Sequence, residues 1–193
     1  MKAYILGGFL GSGKTTLMME AAKANIDKGL KVAILVNDVG SFGVDGATFK
    51  TKGLSATELP DGCICCSLVT DLADALAEIR DGIDPDILII EPTGLAMPSK
   101  VRDATEPYAS PIKVVSLADV KRHRIFMEKK RDFYLEQLAG SDVVFVNKCD
   151  TASGGECEAV AAELKETLGG VPVEPISLKT GKGREYAIRE LTS

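Results

Sequence analysis

Three groups of residues in this chain have the types and spacing to do chemistry. The first is Gly8-Phe9-Leu10-Gly11-Ser12-Gly13-Lys14-Thr15, followed by Thr16, which fits G-x-x-x-x-G-K-[ST]. Glycines let backbone N–H groups turn inward around phosphate oxygens, and a helix opening there adds about half a positive charge. Lys14 would neutralise β- and γ-phosphates, and the Thr15 hydroxyl is placed to bind Mg²⁺. Gly8, Gly11, Ser12, Gly13, Lys14, Thr15 and Thr16 are therefore expected to hold nucleotide phosphates. In Ile87-Leu88-Ile89-Ile90-Glu91-Pro92-Thr93-Gly94 an apolar strand ends in a carboxylate. That puts an acid at the carboxyl edge of a sheet, where ligands sit in open α/β folds. Glu91 would hold Mg²⁺ through water or orient an attacking water, and Gly94 would offer a backbone N–H to the γ-phosphate.

The second group is Asn147-Lys148-Cys149-Asp150, directly after Val143–Val146. It matches N-K-x-D. A carboxylate can accept both N1–H and N2–H of guanine, a pair that adenine cannot supply, and a buried acid left unpaired makes the discrimination large. Asp150 is the expected guanine reader. Lys148 would pack its stem over the base, and Asn147 would brace the loop. Ser177 and Leu178, in a Ser-x-x-Thr-Gly turn after the last expected strand, would contact guanine O6 through backbone N–H groups. The third group is Cys63, Cys65 and Cys66. Three thiolates within four residues can converge on one soft ion, with Zn–S near ~2.3 Å. Zn²⁺ is favoured, with Ni²⁺ or cobalt as alternatives. A fourth ligand could come from Asp38, Glu58, His123 or water. Cys149 and Cys157 read as structural, and three cysteines crowded into four positions do not resemble a secreted disulfide framework.

These groups need a scaffold. Short β-branched runs at 3–6, 32–36, 87–90, 112–116, 143–146 and 173–176 alternate with helix-length stretches near 14–28, 67–81, 98–105, 120–139, 156–168 and 184–191. Continuous apolar runs of this kind mark strands covered on both faces. The expected fold is α/β: a P-loop NTPase with a mostly parallel sheet of six or seven strands and helices on both faces, one domain over 1–193. The stretch 38–66 breaks the rhythm, and 48–52 with 54–59 would form a small hairpin there. Twenty-eight acidic residues against 23 basic give a net charge of −5, which argues against a nucleic-acid partner. No apolar run reaches the ~20 residues that span a bilayer, and the N-terminus lacks a signal-peptide core, so no membrane partner and a cytoplasmic location are expected. The basic run Lys121, Arg122, Arg124, Lys129, Lys130 and Arg131 reads first as a solvated helix face and second as a dock for an acidic client. No arginine is expected in the nucleotide site.

Taken together, GGFLGSGKTT at 7–16, NDVGSFGVDG at 37–46, ELPDGCICC at 58–66, IIEPTG at 89–94 and NKCD at 147–150 resemble the CobW/HypB/UreG group of metal-linked GTPases, CobW-like proteins most of all. The resemblance runs from end to end. It implies a GTPase whose hydrolysis is coupled to moving or inserting a transition metal or metal cofactor. It also implies that Asp38 is an acid linked to the metal site, and that Asp45 is an Mg²⁺-side or water-orienting residue. Cys63, Cys65 and Cys66 match the group's metal motif, and Asp119 matches the V-D-A that ends a later strand. Pro92 and Ser41-Phe42 depart from the group's pattern. The histidine-rich stretch and C-terminal domain of larger members are not expected here, nor is metal storage. The expectation is a slow GTPase that binds GTP, GDP and Mg²⁺, carries Zn²⁺, and delivers it to a client metalloenzyme or cofactor protein. A nucleotide-dependent homodimer or a partner would accelerate it. The alternative is a maturation GTPase, acting for example on a corrinoid enzyme, that carries no metal.

Overall fold

The computed structural model describes residues 1–36, 54–58 and 68–192. Asp38, Asp45, Cys63, Cys65, Cys66 and the expected hairpin partner at 48–52 lie outside the described residues. Among the described residues seven strands form one sheet: β1 (Lys2–Gly7), β2 (Val32–Val36), β3 (Leu54–Glu58), β4 (Ile87–Glu91), β5 (Ile112–Asp119), β6 (Val143–Asn147) and β7 (Val173–Pro175). Their order is β3-β2-β4-β1-β5-β6-β7 and every described pairing is parallel. The run 54–58 is a strand of the main sheet, and its expected pairing with 48–52 lies outside the described residues. It pairs in parallel with β2 from Val32–Leu54 to Val36–Glu58 and forms one edge of the main sheet.

The sheet's side chains alternate as the pleat requires. Tyr4 and Leu6 of β1 face a core shared with α1 (Lys14–Asp27) and α7 (Arg184–Arg189), through Leu17, Met18, Ala21 and Ala187. Ala3 and Ile5 face the other side. There Leu72, Leu76 and Ile79 of α2 (Leu68–Glu78) and its widened last turn meet Val101 of α3 (Pro98–Thr105). Val114 and Ala118 share a face of β5. That second face therefore runs on to the core under α4 (Val120–Lys129), α5 (Arg131–Leu138) and α6 (Glu156–Thr167). Each fully buried Leu or Ile contributes about 1.5–3 kcal/mol, so burial on two faces is what holds the strands in register.

The stretch near 120–139 is two helices, not one. Lys130 adopts φ −147° and ψ 39°, which ends α4 and lets α5 start in a new direction. Both then bury an apolar stripe against β5 and β6. From β1 the chain crosses to β2 and the edge strand β3 and returns to β4 beside β1, then builds the other side outward through β5, β6 and β7. The carboxyl ends of β1, β4 and β5 thus surround the point where strand order reverses, the place where this architecture leaves a crevice.

Candidate functional site

At that crevice a cavity of about 460 Å³ is lined by Leu10, Gly11, Gly13, Lys14, Thr15, Thr16, Glu91, Asn147, Lys148, Asp150, Thr151, Leu178 and Lys179. The loop between β1 and α1 forms its floor. Gly13 starts α1 in the left-handed region, at φ 110°, and no side chain caps the helix. A Cβ there would lie 2.4 Å from Asn147 Nδ2, so only glycine lets the loop close against β6. The N–H groups of the first turn of α1 have no intrahelical acceptor by geometry, and they mark the cavity as suited to an anion.

Lys14 is 4% exposed. Its Nζ donates to the Phe9 carbonyl at 3.4 Å and stands 3.8 Å from Glu91 Oε1. Burial lowers the lysine's pKa, partly offset by Glu91. Burial raises the pKa of Glu91, partly offset by Lys14 and by the Thr15 hydroxyl, which donates to Glu91 Oε1 at 2.9 Å. For both groups the loss of water outweighs the ion pair. Glu91 Oε2 is buried with no partner among the described residues. An orphaned carboxylate oxygen beside a threonine hydroxyl is a donor set that suits a hard cation or its water, so Thr15 and Glu91 fit Mg²⁺. Gly94 packs directly on the floor loop, where a Cβ would come within 2.8 Å of Leu10 N.

At the other end, Asn147 ties three segments together. Its Nδ2 donates to Ser12 O at 2.8 Å, and its Oδ1 accepts from Leu178 N at 3.1 Å. Asp150 accepts from the Ser177 hydroxyl at 2.7 Å and lies 3.8 Å from Lys179 Nζ. Lys148 sits in the left-handed region at φ 68°, and its Nζ donates to Asp119 at 2.6 Å. The structure thus gathers Gly11, Gly13, Lys14, Thr15, Thr16, Glu91, Asn147, Lys148, Asp150 and Leu178 around one cavity. Gly8, Ser12 and Ser177 are buried behind its wall, and the half-buried Gly94 sits against the floor loop at its rim. Gly8 packs on the Leu117 carbonyl, and the buried Ser12 hydroxyl has no partner among the described residues.

Sequence reasoning missed Arg122. Its Nη1 donates to Leu10 O at 2.8 Å, so an arginine does reach the floor loop. The available signal was its spacing, three residues after Asp119 on one helix face. Elsewhere in the basic run Lys121 pairs with Glu156 and Arg124 with Glu128. His123 is buried, with Nδ1 3.1 Å from the Tyr134 hydroxyl and Nε2 3.2 Å from Glu163. With both ring nitrogens engaged it is no candidate for a fourth metal ligand. Cys149 and Cys157 are joined in a disulfide with a Cα separation of 5.5 Å. Among the described residues no group of three His, Cys, Asp or Glu could hold a metal ion. No helix there is long and apolar enough to cross a membrane.

Fold and loop architecture define a P-loop NTPase, and solved structures agree. HypB of Archaeoglobus fulgidus, a hydrogenase maturation factor, superposes with a TM-score of 0.72 over 99% of this chain and 88% of that one, at 24% identity. HypB of Helicobacter pylori, solved in complex with nickel, gives 0.62 over 98% and 84%, at 23% identity. Residues 2–174 match the model of the CobW/HypB/UreG nucleotide-binding domain, and the chain belongs to that family. The zinc chaperone YeiR of Escherichia coli is 35% identical over 151 residues, 76% of this chain and 46% of that protein. The zinc chaperone CobW of Pseudomonas aeruginosa is 26% identical over 216 residues, 93% of this chain and 56% of that protein. The chain therefore spans about half the length of these relatives.

Proposed function

We propose that this chain, acting as one nucleotide domain, binds and slowly hydrolyses GTP and couples that cycle to delivery of zinc to a client metalloprotein. The observation that carries the reading is Asn147, which clamps the phosphate loop through Ser12 O and the base-end turn through Leu178 N. It ties the loop that carries a phosphate-neutralising lysine to the turn beside a base-reading carboxylate, and both groups line the same cavity. Asp150 reads the guanine edge with the Ser177 turn beside it, and the Lys148 stem lies along the base; the Leu178 N–H, expected to contact guanine O6, is instead taken by Asn147 Oδ1 and braces the turn. Lys14 and the first-turn N–H groups neutralise phosphate charge, so catalysis is mainly positioning. Thr15 and Glu91 would hold Mg²⁺, which would supply further neutralisation of phosphate charge. Asp45 orients the attacking water, and Gly94 meets the γ-phosphate.

Zinc is the cargo in this reading, held by Cys63, Cys65 and Cys66 with Asp38. The thiols lie in sequence between 37–46 and 91–96, the two segments expected from the sequence to answer to the γ-phosphate, so nucleotide state can alter their geometry. That the relatives YeiR and CobW are zinc chaperones supports zinc over nickel or cobalt. A second copy docking at the cavity mouth, where Leu10 is 80% and Leu95 52% exposed, is the accelerating partner. Two titrations test the proposal. GTP is expected to bind at least about a hundredfold tighter than ATP, and equal affinities reject the guanine site. Zinc affinity is expected to differ between GDP-loaded and GTP-analogue-loaded protein by about 5–150-fold and to be lost on Cys65→Ser. Identical zinc affinities in the two states reject the coupling.

A further inference from the structure

Asp119, at the end of β5, lies between the two loops that the proposed nucleotide would bridge. It is 6% exposed, and its carboxylate serves three groups. Oδ1 accepts from Lys121 N at 3.0 Å and caps α4. Oδ2 accepts from Lys148 Nζ at 2.6 Å, and Arg122 Nε stands 3.9 Å from the same oxygen. Arg122 in turn donates to Leu10 O and lies over the open side of Gly11, 3.6 Å from where a Cβ would be. We propose that Asp119 is a positioning residue: it tethers the Lys148 ammonium so that the stem lines the base end of the cavity, and through Arg122 it couples that end to the phosphate loop. The inference rests on the guanine reading above.

The physical case is the cost of a buried carboxylate without counter-charge, which holds both cations where Asp119 is. An untethered lysine extends its strongly hydrated ammonium towards water and takes the stem with it. Fixing the ammonium before the nucleotide arrives removes side-chain entropy that binding would otherwise lose. Capping alone does not require this arrangement. A cap needs one oxygen on a backbone N–H, and Asp119 spends its second oxygen on a lysine from another element.

The test is a double-mutant cycle on binding of fluorescent N-methylanthraniloyl-GDP at constant ionic strength. Asparagine caps helices as well as aspartate does, so Asp119→Asn keeps the cap and removes the charge. Its expected effect is a rise in Kd of about tenfold. In the Lys148→Met background, which keeps a stem but no ammonium, the same change is expected to cost less than about twofold. An equal loss in both backgrounds, or no loss, overturns the inference while the guanine site stands. Wild-type protein that binds no GDP overturns both. Should Asp119→Asn fail to fold, the cycle is run with the exposed Arg122→Gln against Lys148→Met. Non-additive losses then support the coupling, and additive losses overturn it.

Discussion

At the phosphate end of the cavity, polar capacity is left unused, whereas at the base end the reading residues all have protein partners. Lys14 and Glu91 are buried 3.8 Å apart, each with its pKa pushed towards the neutral form by loss of water, and Glu91 Oε2 has no partner among the described residues. Asn147, Lys148, Asp150 and Ser177, by contrast, are each hydrogen-bonded across elements. The phosphate end stores electrostatic cost that an incoming anion and cation relieve, and the base end is built in advance. Truncating the phosphate-end groups should therefore be felt mainly in binding, and truncating the Asn147 brace mainly in stability.

Lys14→Ala gives the sharpest break. Truncating one partner of a buried charge pair costs about 2–5 kcal/mol, so GTP affinity should fall by about a hundredfold or more. The melting temperature of the nucleotide-free protein should change little. A large loss of stability with unchanged affinity would show the lysine to be structural. Asn147→Ala should reverse the pattern. It leaves Ser12 O and Leu178 N unpaired in a buried setting and should destabilise the free protein by about 2–4 kcal/mol, read by urea unfolding. A free protein as stable as wild type would mean that the base end is not prebuilt.

Glu91→Gln has the smallest effect on stability and the clearest sign. Because burial raises its folded pKa above 4.5, the contribution of Glu91 to stability is fully present below that value and is lost as pH rises through the folded pKa. The glutamine variant should match wild type near pH 4 and exceed it at pH 7 by up to about 1 kcal/mol, while losing Mg²⁺-dependent hydrolysis. A wild type that gains on the variant as pH rises would put the unused capacity elsewhere.

Most of the scaffold was legible because its signals are local. The runs at 32–36 and 143–146 are buried at every position, and they appear as unbroken apolar stretches rich in β-branched residues. The phosphate loop was legible because a turn, a lysine and a helix start must be contiguous to work. Three features escaped for lack of a local signal. The break at Lys130 depends on how α4 and α5 pack, not on a proline or glycine between them. The pairing partner of 54–58 is chosen by the open edge of β2, which no residue in that run reveals. Arg122 lies 112 residues from Leu10 in the chain, so their contact exists only once β1 and β5 are neighbours.

The sequence by itself determined the parallel α/β sheet, where its motif-bearing loops fall and the family, because hydrophobic period and contiguous motifs act over a few residues. Only the tertiary structure decided how those loops meet: Asn147 against Ser12, Lys148 on Asp119, and Arg122 over Gly11. Hydrogen bonds and charge pairs between distant segments follow from strand order, and strand order is settled by burying both faces of the whole sheet at once.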